Sequence, residues 1–159
     1  VHNLREPDSD VGLVERIRRE SSLSRSFLGF APSLLISVDG QSVNEQKECE
    51  DHRVELLNSR VDDSRSDDAV AIVREGLSNI ARHAHATAGA VNVELQGSGK
   101  TGRLTVSVSD DGIGIDPAHT RNSGLANMAE RARLNGGTFT IGTGLEGKGT
   151  KITWSVPLA

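Results

Sequence analysis

Glu75 and Asn79 stand one helical turn apart, and Arg82 and His83 follow within the next turn. On a helix advancing about 100° per residue these four gather on one side, while Ala69, Val70, Val73, Leu77, Ile80 and Ala84 gather on the other. One face packs, and the other offers an acid, an amide oxygen, a guanidinium and an imidazole. An amide oxygen suits a hard cation such as Mg²⁺, which keeps several waters and takes nucleotide phosphates as further ligands. A carboxylate one turn earlier either orients water around such a metal or accepts a proton. Arg82 and His83 either meet phosphate oxygens, as a charged fork and a donor, or form a solvated helix end. Zinc is not expected, because His83 and His85, two apart on a helix, point away from each other and no nearby Cys or His completes a tetrahedral set.

Most of the 17 glycines fall in the second half of the chain. They cluster in Asp110-Asp111-Gly112-Ile113-Gly114, in Ser123-Gly124, and in Gly147-Lys148-Gly149-Thr150. Loops of this kind let main-chain N–H groups approach phosphates, because no Cβ intervenes and positive φ is allowed. Each alone reads more readily as an ordinary turn; together with the Glu75 and Asn79 helix they point to a polyphosphate ligand. Ser123-Gly124-Leu125 opens a further helical pattern, whose unpaired N–H groups and positive dipole end favour phosphate.

The elements needed to position these residues are visible in the pattern. Residues 1–26 read as a helix entering from upstream, with Val11, Val14, Ile17, Leu23 and Phe27 spaced along it. Residues 33–38 are an apolar strand closed by Asp39-Gly40. Residues 41–68 turn polar and read as a mobile insertion holding one short helix, anchored by Val54, Leu56, Leu57 and Val61. Asp67 or Asp68 is the expected N-cap of a helix running to about residue 84. A hairpin over 90–95 and 103–109, a helix over 123–135 stopped by Gly136-Gly137, and strands at 138–143 and 150–156 complete the order. That order predicts an α+β fold, a two-layer α/β sandwich with a mixed, mostly antiparallel sheet and helices on one face.

Composition narrows the class. A chain of 159 residues buries one core without disulfides. A net charge of -4 and 3% aromatic residues supply neither the basic field nor the stacking platforms of a nucleic-acid binder. The single cysteine, Cys49, cannot pair internally, which suits a reducing, cytoplasmic setting, and no apolar run approaches the ~20 residues that span a bilayer. The first residue is Val and no leader-like segment follows, so the chain reads as an excised piece of a longer protein.

Taken in order, Glu75-x-x-x-Asn79, Asp110-x-Gly112-x-Gly114, Gly124-Leu125 and Gly147-x-Gly149-Thr150 resemble the N, G1 and G2 boxes and the terminal strand motif of the ATPase fold shared by gyrase, Hsp90, histidine kinases and MutL (the GHKL or Bergerat fold). The segments VREGLSNIARHAHAT, SDDGIGI, SGLANMAERARLNGG and GKGTKITWSVPL are similar to two-component sensor histidine kinases of the NarX/DesK type, including the haem-based dormancy sensors of actinobacteria. The resemblance spans residues 28–158 apart from the polar stretch. It implies that residues 28–159 bind ATP and Mg²⁺ and that residues 1–27 link them to a dimerisation domain bearing the phosphoacceptor histidine. It further implies Asn79 as the metal ligand, Glu75 in catalysis and Asp110 as acceptor from the adenine amino group. Thr150 approaches adenine from the opposite side or simply fills a strand, and residues 115–122 form the lid. Nucleotide contacts are expected from Asn79, Arg82, His83, Asp110, Gly112, Gly114, Ile115, Ser123, Gly124, Leu125, Gly147, Gly149 and Thr150. Met128 reads as core, and Arg131 pairs with an acid or with the nucleotide.

Asp111 stands where the family commonly has Asn, weakening ATP binding if it faces the phosphates and doing nothing if it faces solvent. Gly76 stands where alanine is usual, lowering helix propensity by up to ~1 kcal/mol. None of His2, His52, His83, His85 and His119 lies in a phosphoacceptor-like sequence. The expected partners are therefore the histidine-bearing domain of the same protein and a response regulator of NarL/LuxR type. The full-length protein is expected to be a homodimer and the isolated domain a monomer, with no nucleic acid and no membrane contact in this part. Two rival readings are a stand-alone serine kinase of the anti-sigma type and a non-catalytic adenine nucleotide sensor.

Overall fold

The computed structural model describes residues 12–43, 52–114 and 124–159. Helix α1 (Leu13–Leu28) buries Leu13, Val14 and Ile17 along one side, and Gly29 ends it in the left-handed conformation with its N–H returning to the Arg25 carbonyl at 3.1 Å. Strand β1 (Ser33–Val38) passes through Asp39 and Gly40, at φ 52° and 84°, into the short β2 (Gln41–Ser42). Positive φ at both central residues is the tight hairpin turn that Asp-Gly favours. Helix α2 (His52–Arg60) and helix α3 (Asp63–Asn79) follow, and α3 widens at its end into a π turn, Ile80–Ala84.

The second half alternates strands with one helix: β3 (Gly89–Gln96), β4 (Arg103–Asp110), α4 (Leu125–Leu134), β5 (Thr138–Thr143) and β6 (Thr150–Pro157). One six-stranded sheet results, in the order β2-β1-β3-β4-β6-β5. Only β1 and β3 run parallel, with Ile36 beside Val93; the other pairs are antiparallel. Side chains alternate across it, so Val91, Val93, Leu95, Leu104, Val106, Val108, Ile152, Trp154 and Val156 are buried on the helix side. Glu94 and Lys151 are exposed on the other. The predicted sandwich and its mostly antiparallel sheet are thus the observed architecture. Residues from all four helices join the same core: Leu13 and Ile17 of α1, Leu57 of α2, Val70, Val73 and Leu77 of α3, Leu125 and Met128 of α4. No helix among the described residues is long and apolar enough to cross a membrane.

Two expectations from sequence need correction. The N-cap of α3 is Asp62, not Asp67 or Asp68: its carboxylate accepts the Arg65 N–H at 2.8 Å, and the backbone enters from an extended conformation. Asp67 and Asp68 therefore lie inside the helix, where their carboxylates pair with Arg16 (2.8 Å) and Arg131 (2.5 Å). The polar stretch 41–68, in its described part, does hold one complete short helix, α2, with Leu57 and Val61 buried as anchors, but it also contains β2 and the first turns of α3, which the sequence pattern did not place there. Residues 44–51, including Cys49, lie outside the described part.

Candidate functional site

Helix α3 carries the first group of polar residues because its inner face is fully committed to packing. Val70, Val73, Leu77 and Ile80 are buried, which turns Glu75 and the Asn79 end toward the rim of the sheet. Arg82 folds back from the π turn, and one guanidinium nitrogen donates to both Asn79 Oδ1 (3.0 Å) and Glu75 Oε1 (3.3 Å). Two oxygens of different side chains thus already converge on one positive charge. Asn79 is 5% exposed, and its Nδ2 has no hydrogen-bond partner among the described residues. A buried unpartnered donor costs about 1–3 kcal/mol, a cost that a ligand acceptor would remove.

The second group forms where β4 ends and β6 begins. Asp110 is 4% exposed, and its Oδ1 accepts the Gly112 N–H at 2.8 Å. Burial pushes its carboxyl pKa up, opposed by hydrogen bonds from the main-chain N–H groups of Gly112 and Thr150. Gly149, at φ +69°, lies so near that a Cβ there would overlap the Asp110 carboxylate and come within 2.7 Å of the Gly112 nitrogen. Gly114 passes the Thr150 hydroxyl, and Thr150 itself is buried. Asp110, Gly112, Gly114, Gly149 and Thr150 therefore form one small glycine-walled group.

Gly76 joins the two groups. A Cβ on it would lie 2.9 Å from Val108 Cβ and 3.1 Å from Ile152 Cδ1, so α3 presses directly on β4 and β6. The contact falls two residues before Asp110 and two after Thr150, bringing Glu75 and Asn79 to the edge where Asp110 and Thr150 emerge. Gly124, the N-cap of α4 at φ +81°, completes the arrangement: a Cβ on it would fall on the Glu75 carboxylate.

Several expected site residues behave otherwise. Leu125 buries its side chain in the core, so only its main chain is available to a ligand. Met128 is likewise core. Gly147 lies in open space, its φ of +76° serving the turn before β6. Ile115, Ser123 and the His83 side chain lie outside the described residues. Asp111 is held by local hydrogen bonds: its carboxylate accepts from Thr87 Oγ1 (2.7 Å), Thr87 N (2.8 Å) and Ala88 N (2.9 Å), tying down the connection after α3. The Thr87 hydroxyl, then these main-chain donors, hold its pKa below the ordinary value. Arg131 pairs with Asp68. Asp68 itself was not singled out as a site residue, although its position seven before Glu75 places both on one helical face.

An open sheet with its helices on one side, and an acid-amide helix crossing at the rim, defines the class: the fold of histidine kinase ATP-binding domains. The ATP binding domain of PrrB from Mycobacterium tuberculosis superposes with a TM-score of 0.52 at 16% identity, over 92% of this chain and 94% of that one. Residues 64–159 match the family model of histidine kinase-, DNA gyrase B- and HSP90-like ATPases, and the chain belongs to that family. Its relatives are sensor histidine kinases. It is 40% identical over 87 residues to the histidine-protein kinase/phosphatase UhpB of Salmonella typhimurium, covering 54% of this chain and 16% of that protein. It is 27% identical over 168 residues to the sensor histidine kinase LiaS of Bacillus subtilis, covering 95% of this chain and 45% of that protein. The chain spans less than half the length of these relatives.

Proposed function

We propose that this chain is the catalytic domain of a sensor histidine kinase. In this reading it binds Mg²⁺-ATP and offers the γ-phosphoryl group to a histidine on a dimerisation domain of the same protein, for onward transfer to a NarL/LuxR-type response regulator. The observation that carries it is the contact of Gly76 with Val108 and Ile152, which brings an acid-amide face and a buried, glycine-walled aspartate to one edge of the sheet.

Asp110 is the base-recognising residue: a carboxylate held by two N–H groups accepts from the adenine amino group, where guanine would present an acceptor and leave the site unpaired. Thr150 supports it from the adjoining strand. Gly112, Gly114 and Gly149 keep Cβ atoms out of the ligand's path, and the α4 N-terminus at Gly124 turns N–H groups toward phosphate. Asn79 Oδ1 holds the metal, and Glu75 orders water around it or accepts a proton; the fit is indicated by the positive charge these two oxygens already share. Among the described residues no group of three or more His, Cys, Asp or Glu could hold a metal, so phosphate and water would complete the shell. Bound Mg²⁺ would neutralise charge on the phosphates during transfer. The residues supply position and electrostatics, the main terms in phosphoryl transfer.

The test is transfer in trans: radiolabelled ATP, Mg²⁺, this chain and a separately supplied histidine-bearing domain. Label on histidine supports the kinase reading. Nucleotide binding without transfer supports the sensor reading, and label on a serine of a separate protein supports the anti-sigma type.

A further inference from the structure

Helices α3 and α4 meet at two points whose spacing matches. Gly124 lies against Glu75, and Arg131, seven residues on, reaches Asp68, seven residues back. Seven residues are two turns, about 10 Å on either helix, so the helices lie antiparallel and in register. At the far point both oxygens of Asp68 are taken by α4. Arg131 Nη1 donates to Oδ1 at 2.5 Å, and Asn135 Nδ2 donates to Oδ2 at 2.7 Å and to the Arg131 carbonyl at 2.8 Å. The Asp68 side chain is only 17% exposed. On its other side α4 is held by Leu125, Met128 and Ala132, which are buried. Those apolar contacts seat the helix, and the polar contacts of Asp68, being directional, add a restraint on its height and rotation.

We propose that Asp68 is a positioning residue: by gripping Arg131 and Asn135 it fixes the register of α4 on α3, and so holds the helix N-terminus at Gly124 beside Glu75. The inference rests on the reading of that edge as the phosphate-receiving side. It also assigns Arg131 to Asp68 rather than to the nucleotide.

The experiment compares this chain with Asp68→Ala, Arg131→Ala, the double variant and the conservative Asp68→Glu. Amide hydrogen exchange of residues 125–134 is read without nucleotide, and Mg²⁺-ATP affinity is read by calorimetry. Both single variants are expected to speed exchange in α4 about tenfold while β3 and β4 stay protected. Affinity is expected to fall about fivefold, because the competent arrangement is less populated. The double variant should be no worse than either single one, and Asp68→Glu should recover part of the loss. Unchanged exchange in α4, unchanged affinity despite faster exchange, or additive effects in the double variant would each overturn the proposal. If Asp68→Ala does not fold, Arg131→Ala, which removes an exposed side chain from the same pair, decides the question by the same two measurements. A parent chain that binds no Mg²⁺-ATP refutes the nucleotide reading instead, and the exchange measurement still judges the register.

Discussion

Gly76 faces Val108 with no room for a methyl group between them. Helix propensity alone says that Gly76→Ala should stabilise α3 by up to ~1 kcal/mol. The added Cβ would instead press on a β-branched side chain inside a packed layer, at a cost of about 1–3 kcal/mol. Packing wins, and Gly76→Ala is expected to destabilise the domain by about 1 kcal/mol in chemical denaturation. Combined with Val108→Ala, the two changes should cost less than their separate effects added together.

Asp110→Asn separates stability from binding. The raised pKa means that the folded state disfavours the ionised carboxylate, so Asp110 adds stability only in acid and loses that contribution as pH rises through its folded-state pKa. At neutral pH the Asn variant should therefore melt at the same temperature or higher. Its affinity for Mg²⁺-ATP should fall about tenfold to a hundredfold, since a charge-assisted acceptor is lost and an amide donor can face the adenine amino group. Calorimetric titration beside a thermal melt checks both halves.

Asp111→Asn has the opposite pH signature. The pKa of Asp111 is lowered by the Thr87 hydroxyl and the Thr87 and Ala88 amides, so its contribution is present above the unfolded-state pKa and disappears as pH falls through the lower folded-state value. The wild-type chain should be more stable than Asp111→Asn at pH 7, with the gap closing below about pH 4. Melts across that range decide it, and nucleotide affinity at neutral pH should change little.

Arg82 shares its guanidinium between Glu75 and Asn79, so on the proposed reading a Mg²⁺ ion at Asn79 Oδ1 would compete with that positive charge. Arg82→Gln removes a competitor for the metal and a partner for phosphate together. Affinity for ATP at saturating Mg²⁺ should fall about tenfold, while the Mg²⁺ concentration giving half-maximal binding should also fall. Nucleotide titrations at a series of Mg²⁺ concentrations read the two effects apart.

What could be read from sequence, and what could not, follows the range of the interactions. The strands at 33–38 and 138–143 were legible to the residue because alternation and a bounding turn are local signals. The shared face of Glu75 and Asn79 was legible from helical period. The N-cap was not, because Asp62, Asp63, Asp67 and Asp68 are chemically equal and only the path of the incoming chain selects Asp62. Helix α2 was legible as one short helix but not in its bounds, because one fully buried residue, Leu57, anchors an otherwise polar segment. The role of Asp111, the partner of Arg131 and the need for glycine at 76 depend on residues far away in the chain. No window of local sequence contains them.

The parallel pairing of β1 with β3 has a practical consequence. Every register position from Ala90 to Leu95 on that side of β3 is matched by β1, whose last two residues pair in turn with β2. A chain trimmed to the family-matched residues 64–159 would leave β3 as a naked outer strand, with Val91, Val93 and Leu95 beside unsatisfied amides and carbonyls. Such an edge recruits other strands, so the trimmed chain should form aggregates where the longer one stays dispersed.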